Sequence, residues 1–194
     1  GALKFESKAV ESNVISSDFS ADSKRLFLGI SGGLVFVYDC VTGEKIREFR
    51  AHSGAVLTLR TSPDGKTFLT TSSESVAALW DANTYEQLAL FKGHNGFVND
   101  ARLQPNGNRI MTMGFDNTVR IWDYHGNKLV TIAVEKENLT YAAWSPSGNR
   151  IATATAEGTI HIYDSIPPAE LNQKPGENLA DAVTAWRAAR RATE

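Results

Sequence analysis

Four times along this chain an aromatic residue is followed directly by Asp: Tyr38-Asp39, Trp80-Asp81, Trp122-Asp123 and Tyr163-Asp164, at steps of 42, 42 and 41 residues. A fixed period of this length, with turn residues at the same phase, is one supersecondary unit copied in series. A unit that size holds about four short strands and cannot bury both faces of a small sheet alone. Each copy must therefore lean on its neighbours.

Aligned on these pairs, the copies share a second landmark: Ser20-Ala21-Asp22-Ser23, Ser62-Pro63-Asp64-Gly65, Gln104-Pro105-Asn106-Gly107 and Ser145-Pro146-Ser147-Gly148. These are hairpin turns by composition, because Pro presets φ early and Asn-Gly or Asp-Gly tolerates positive φ later. Between the landmarks lie segments of strand length rich in Val, Ile, Leu, Thr and aromatics; in the third copy they are Phe97 to Leu103, Arg109 to Gly114, Thr118 to Trp122 and Lys128 to Val134. Val35-Phe36-Val37-Tyr38 and Val76-Ala77-Ala78-Leu79-Trp80 are apolar on both faces, which places them in sheets sandwiched between neighbours. Radially stacked four-stranded sheets meet that requirement.

On these residues the chain resembles a WD40-repeat β-propeller. The best copy runs Gly93-His94, Val98, Ala101, Leu103, Pro105-Asn106-Gly107, Thr112, Asp116 and Trp122-Asp123; Ala51-His52 through Trp80-Asp81 is second. The match covers roughly residues 9–164, and the joint recurrence of Gly-His, turn and Trp-Asp is specific where a lone Trp-Asp would mean nothing. The resemblance implies an all-β fold of propeller blades at about 9–50, 51–92, 93–134 and 135–165. It also implies a hydrogen-bond chain linking His, Thr, an acid and Trp: His94, Thr112, Asp116 and Trp122 in the third copy, and His52, Thr70, Glu74 and Trp80 in the second. Glu74 has one more methylene to accommodate, so the third copy is expected to hold the one complete network and to be the best-fixed blade. The first copy, with Leu28, Gly32 and Tyr38 at these positions, cannot form it; the fourth keeps Thr153 but has Glu157 and Tyr163.

His94, Thr112 and Asp116 also offer the residue types of a nucleophile, base and orienting acid. The hydroxyl would lie on an interior strand beside Trp, with no Gly-x-Ser-x-Gly elbow around it, so a non-catalytic protein is expected. Gly29, Gly32 and Gly33 precede a strand where a phosphate loop precedes a helix, and neither His125 nor His161 has a partner at metal-ligand spacing. No cofactor is expected. A net charge of −2 gives no drive to gather phosphates, so nucleic acid is not an expected partner. No apolar run approaches the roughly 20 residues of a membrane helix. The single Cys40 cannot make an internal disulfide, which fits a reducing compartment and a cytoplasmic location.

The family resemblance implies protein partners on the narrower face of the ring, met by residues flanking the first-strand Val and preceding the turn acid. By position these are Phe97, Asn99 and Phe115 in the third copy, Ala55, Leu57 and Ser73 in the second, Asn138, Thr140 and Ala156 in the fourth, and Asn13, Ile15 and Ser31 in the first. Phe97 and Phe115 either form an aromatic anchor or pack on each other or under a neighbouring loop.

After Asp164 the pattern stops. Pro167-Pro168 and Lys174-Pro175-Gly176 read as a linker, and Glu177 to about Ala192 as an amphipathic helix carrying Leu179, Val183 and Trp186 on one stripe, which gives a division into 1–165 and 166–194. Propellers close with about four to eight blades. Four copies, with residues 3–8 read as an outer strand closing the last blade, leave three arrangements: a fragment of a larger ring, a closed four-bladed ring, or two chains sharing one ring by self-association. A start without Met favours the fragment. The functional expectation is a protein-interaction scaffold or sensor module. The alternatives are the regulatory propeller of a multidomain NTPase or kinase, and a propeller enzyme with a central-channel site.

Overall fold

The computed structural model describes residues 12–105, 108–134 and 138–164, and these form antiparallel sheets joined in chain order. The first sheet is β1 (Val14–Phe19), β2 (Arg25–Ile30), β3 (Leu34–Asp39) and β4 (Lys45–Arg50). The second is β5 (Val56–Thr61), β6 (Thr67–Ser72), β7 (Val76–Asp81) and β8 (Gln87–Lys92), and the third is β9 (Val98–Leu103), β10 (Arg109–Gly114), β11 (Thr118–Asp123) and β12 (Lys128–Ala133). In the fourth, β13 (Leu139–Trp144), β14 (Arg150–Thr155) and β15 (Ile160–Asp164) are the strands among the described residues. The expected strand at 3–8 and the linker and helix at 166–194 lie outside them.

The repeated landmarks have physical work at the turns. Ser20 and Ser62 donate their hydroxyls to Asp22 and Asp64, each at 2.6 Å, and the next residue swings to positive φ, at Ser23 (58°) and Gly65 (70°). In the first three aromatic-Asp pairs the Asp caps the turn into the fourth strand: Asp39 Oδ1 accepts from the Val41 and Thr42 N–H groups at 2.7 and 2.9 Å, Asp81 Oδ1 from Asn83 and Thr84 at 2.8 and 2.9 Å, and Asp123 Oδ1 from His125 and Asn127, both at 2.9 Å. The pair is thus bifunctional, with the aromatic packed inward and the acid ending the strand.

Blades stack face on face, as the two-faced apolar runs require. Phe27, Val35 and Val37 of the first sheet meet Phe68, Ala78 and Trp80 of the second. Leu69, Ala77, Leu79 and Phe91 meet Val98, Ile110 and Trp122 of the third, and Met111, Met113, Val119 and Ile121 meet Leu139, Ala142 and Ile151 of the fourth. At the inner rim β1 lies against β5 and β5 against β9. Polar stitches cross there: Asp18 accepts from the Thr61 N–H at 2.8 Å, Arg60 Nε donates to Asp100 at 2.8 Å, and the Arg102 guanidinium lies 4.9 Å above the Tyr141 ring.

Among the described residues, the outer face of the fourth sheet is exposed. Ile160 and Ile162 repeat the register of Val119 and Ile121, yet both are 69% exposed, against 0% and 2% for their counterparts under the fourth sheet.

Candidate functional site

In the third blade a chain of donors runs from the interior to the turn. Trp122 Nε1–H donates to Thr112 Oγ1 at 2.8 Å, Thr112 Oγ1 lies 2.7 Å from His94 Nε2, and His94 Nδ1 lies 2.9 Å from Asp116 Oδ1. Since Trp is only a donor and a carboxylate only an acceptor, the Thr hydroxyl donates to Nε2 and the imidazole carries its proton on Nδ1. Burial pushes the His94 pKa down, only partly offset by Asp116, so the ring is neutral at pH 7. Burial opposes the Asp116 charge, but hydrogen bonds from Asn95 N–H, His94 and Thr118 overcome it and draw the carboxyl down to about 2. Arg120 Nη2 adds an ion pair at 3.2 Å. Thr112 is fully buried with its oxygen engaged on both sides, so the triad-like trio presents no reachable nucleophile.

The second blade holds the same chain, which corrects the expectation of a single complete network. Trp80 Nε1–H donates to Thr70 Oγ1 at 2.8 Å, Thr70 meets His52 Nε2 at 2.7 Å, and His52 Nδ1 reaches Glu74 Oε1 at 2.9 Å. The longer Glu side chain is absorbed by Ser53, whose N–H donates to Oε2 at 3.2 Å and whose hydroxyl also bonds it. In the fourth blade Thr153 Oγ1 is buried with no hydrogen-bond partner, and Glu157 instead accepts from Asn138 N–H and Nδ2 at 3.0 and 3.1 Å.

The positions expected to meet a partner lie at the turns between second and third strands and at the starts of the first strands. Phe97 and Phe115 are 50% and 63% exposed, and their rings meet edge to face with centroids 6.1 Å apart. The two readings of this pair are not exclusive: it packs on itself and still faces solvent. The Phe115 N–H donates to the Phe97 carbonyl at 2.9 Å, which fixes both on the blade carrying the His94 network. Asn99 and Leu57 are half-buried; Asn138 and Thr140 are exposed, with Thr140 Oγ1 donating to the Ala154 carbonyl at 3.1 Å. Ala55 N–H is held by Ser73 Oγ at 2.9 Å, and Asn13, Ile15, Ser31 and Ala156 are exposed.

Two features escaped sequence reasoning. Arg120 is nearly buried against Asp116, and the Arg60, Asp100 and Arg102 group bridges inner strands. Aligning the chain at its own 42-residue period places Arg60 and Arg102 at one phase, which was the available signal. Among the described residues no group of His, Cys, Asp and Glu is placed to hold a metal ion, and no helix is long and apolar enough to cross a membrane.

The sequence model of the family described as WD domain, G-beta repeat matches residues 43–81, 85–123 and 126–164. Each matched segment starts at or near the fourth strand of one sheet and ends with the aromatic-Asp pair of the next. No curated protein sequence gives a significant match. Among solved structures, the chain is similar to the computationally designed Ika4 protein, with a TM-score of 0.74 at 18% identity over 84% of this chain and 98% of that one. It is similar also to the computationally designed Ika8 protein, with a TM-score of 0.71 at 18% identity over 81% of this chain and 47% of that one. At such identity these likenesses speak to fold alone. Three tandem matches over more than half of the chain, joined to the blade geometry and the His-Thr-Trp networks, place this protein in the WD40-repeat family.

Proposed function

We propose that the protein is a non-catalytic protein-interaction module whose principal anchor is the Phe97 and Phe115 pair. The observation that carries this is an aromatic pair left half-exposed or more while held edge to face on the blade with the most connected polar network. Aromatic side chains lose little conformational entropy on binding and dominate interface energetics when a partner desolvates them. Asn99, Leu57, Asn138 and Thr140 lie at the starts of the first strands and form the surrounding polar and apolar contacts. The test is quantitative co-purification with the double variant F97A/F115A, with its circular dichroism and melting curve as folding control. Loss of stoichiometric partners from a folded variant supports the anchor; unchanged recovery refutes it.

A second reading concerns the exposed outer face of the fourth sheet. Ile160 and Ile162 carry the register that is covered by the next blade elsewhere in the chain, which favours completion of the ring by a further blade, from a second copy or from another segment of a larger assembly. Light scattering after size exclusion separates the cases: a monomer rules out the shared ring, and a dimer dissociated by I160K/I162K supports it.

A further inference from the structure

The second and third blades build the same network but balance its charge differently. In the third, Asp116 is 9% exposed and ion-paired with Arg120. In the second, Glu74 is 29% exposed, and among the described residues its partners are His52 and Ser53, with no Lys or Arg within ion-pair distance. The residue at the register of Arg120 is Ala78, and the one at the register of Thr118 is Val76. Beside them lies a cleft of about 460 Å³ lined by Arg50, Ala51, Glu74, Val76, Leu90 and Lys92, together with His52, Ser53 and Gln87.

We infer that this cleft between the first and second blades receives the Arg side chain of a peptide, its guanidinium on Glu74, in the role that Arg120 plays within the third blade. A carboxylate at the end of aliphatic walls is the complement of a long cationic side chain, whose methylenes lie on Val76 and Leu90 while its head group pairs. The volume falls within the range of small-ligand sites. The lining includes two cations with separate tasks. Arg50 Nη1 is engaged by the Gly32 and His52 carbonyls at 3.1 and 3.3 Å, whereas Lys92 is exposed and has no partner among the described residues, which suits an acidic residue beside the Arg.

The third blade also shows why no internal side chain fills the cleft. A Cβ on Gly93 would stand 2.7 Å from Arg120 Nη1. Arg120 thus lies in space that a glycine leaves open, where the second blade has Ala51 with Ala78. The site and the aromatic pair share no residues. It rests on the interaction-module reading only in taking a peptide as ligand.

The test is a ¹⁵N-resolved NMR titration of the full chain with acetyl-Glu-Arg-Gly-amide and with its citrulline counterpart, which keeps shape and hydrogen-bonding length but has no charge. Saturable shifts of the Ser53 and Val76 amides with the Arg peptide are expected, weakened about tenfold or more by citrulline and by E74Q, in line with loss of a charge-assisted contact. The double variant A51G/A78R supplies an internal guanidinium and should abolish the titration while keeping the spectrum of a folded domain. Equal binding of the citrulline peptide, no saturable shift, or titration unchanged in A51G/A78R overturns the inference. The variant F97A/F115A should titrate as the parent does, so failure of the anchor and failure of the cleft are read separately.

Discussion

Two threonines at the same place in successive blades offer a controlled measure of what the His-Thr-Trp chain contributes. Thr112 and Thr153 pair identically with the strands beside them and are 0% and 1% exposed. The Thr112 hydroxyl accepts from Trp122 and donates to His94; the Thr153 hydroxyl has no partner. Replacing either by Val keeps shape and removes one oxygen. In T112V the Trp122 N–H and His94 Nε2 are both stranded in the interior, each at about 1–3 kcal/mol. The imidazole cannot rescue itself by changing tautomer, because Nδ1–H is committed to Asp116.

The expected loss for T112V is therefore at least about 2 kcal/mol, a sizeable share of the roughly 5–15 kcal/mol that holds a domain of this kind. In T153V an unpaired buried hydroxyl is exchanged for a methyl, so the change should be neutral or stabilising. Urea titrations read by tryptophan fluorescence give both midpoints, with the slope checked for constancy because a repeat array can lose two-state behaviour. Melting temperatures should fall by at least about 4 °C for T112V at roughly 2–4 °C per kcal/mol. Equal effects of the two substitutions would refute the claim that the hydrogen-bond chain, and not packing at that register, stabilises the blade.

Acid should unfold the domain in a defined order. The Asp116 carboxyl lies at about 2 when folded against 3.8 unpaired, so the unfolded chain binds more protons in between. That stabilisation, about 2 kcal/mol, is complete above roughly pH 4 and lost as the pH falls toward 2; D116N should flatten stability across that window in pH-dependent urea titrations. The His94 ring is depressed below its unfolded value of 6.5 by burial, so its contribution also erodes as pH falls below that point. Gly93 sits at φ +143° with Arg120 against it, and G93A should cost roughly 1–3 kcal/mol through backbone strain and a displaced guanidinium, measurable by the same titrations. F97A/F115A removes an exposed aromatic pair and should cost about 0.5–1.5 kcal/mol or less, so its melting curve should stay near that of the parent.

Strand placement was legible because two independent signals coincide at each boundary. The third copy's strands fall within a residue of Val98–Leu103, Arg109–Gly114, Thr118–Asp123 and Lys128–Ala133, since turn chemistry and the aromatic-Asp period mark the same points. The reach of Glu74 was not legible, because the slack that admits its extra methylene comes from Ser53, a loop residue with no motif of its own. Nor was the pairing of Arg60 with Asp100: the shared phase of Arg60 and Arg102 marks the position, but the partner depends on how far one blade is rotated against the next.

The same contrast explains why two blades with one network have different surfaces. Where Asp116 is sealed by Arg120 and Thr118, the acid's charge is spent inside the blade, and the edge above it is free to carry the apolar Phe97 and Phe115 pair. Where Glu74 lacks such a cation, its carboxylate stays wet beside an open cleft, since a charge fully withdrawn from water without a partner would cost several kcal/mol. Ala78, two strand positions beyond Val76 on the same face, stands where the third blade has the arginine that covers its acid. Substituting A78R alone, with Ala51 retained, should leave the new guanidinium crowded by the Ala51 methyl and give little added stability. Adding A51G should convert the site into a copy of the third blade, and the urea midpoint should rise only in the double variant. A rise in A78R alone would show that Gly93 is not what makes room for Arg120.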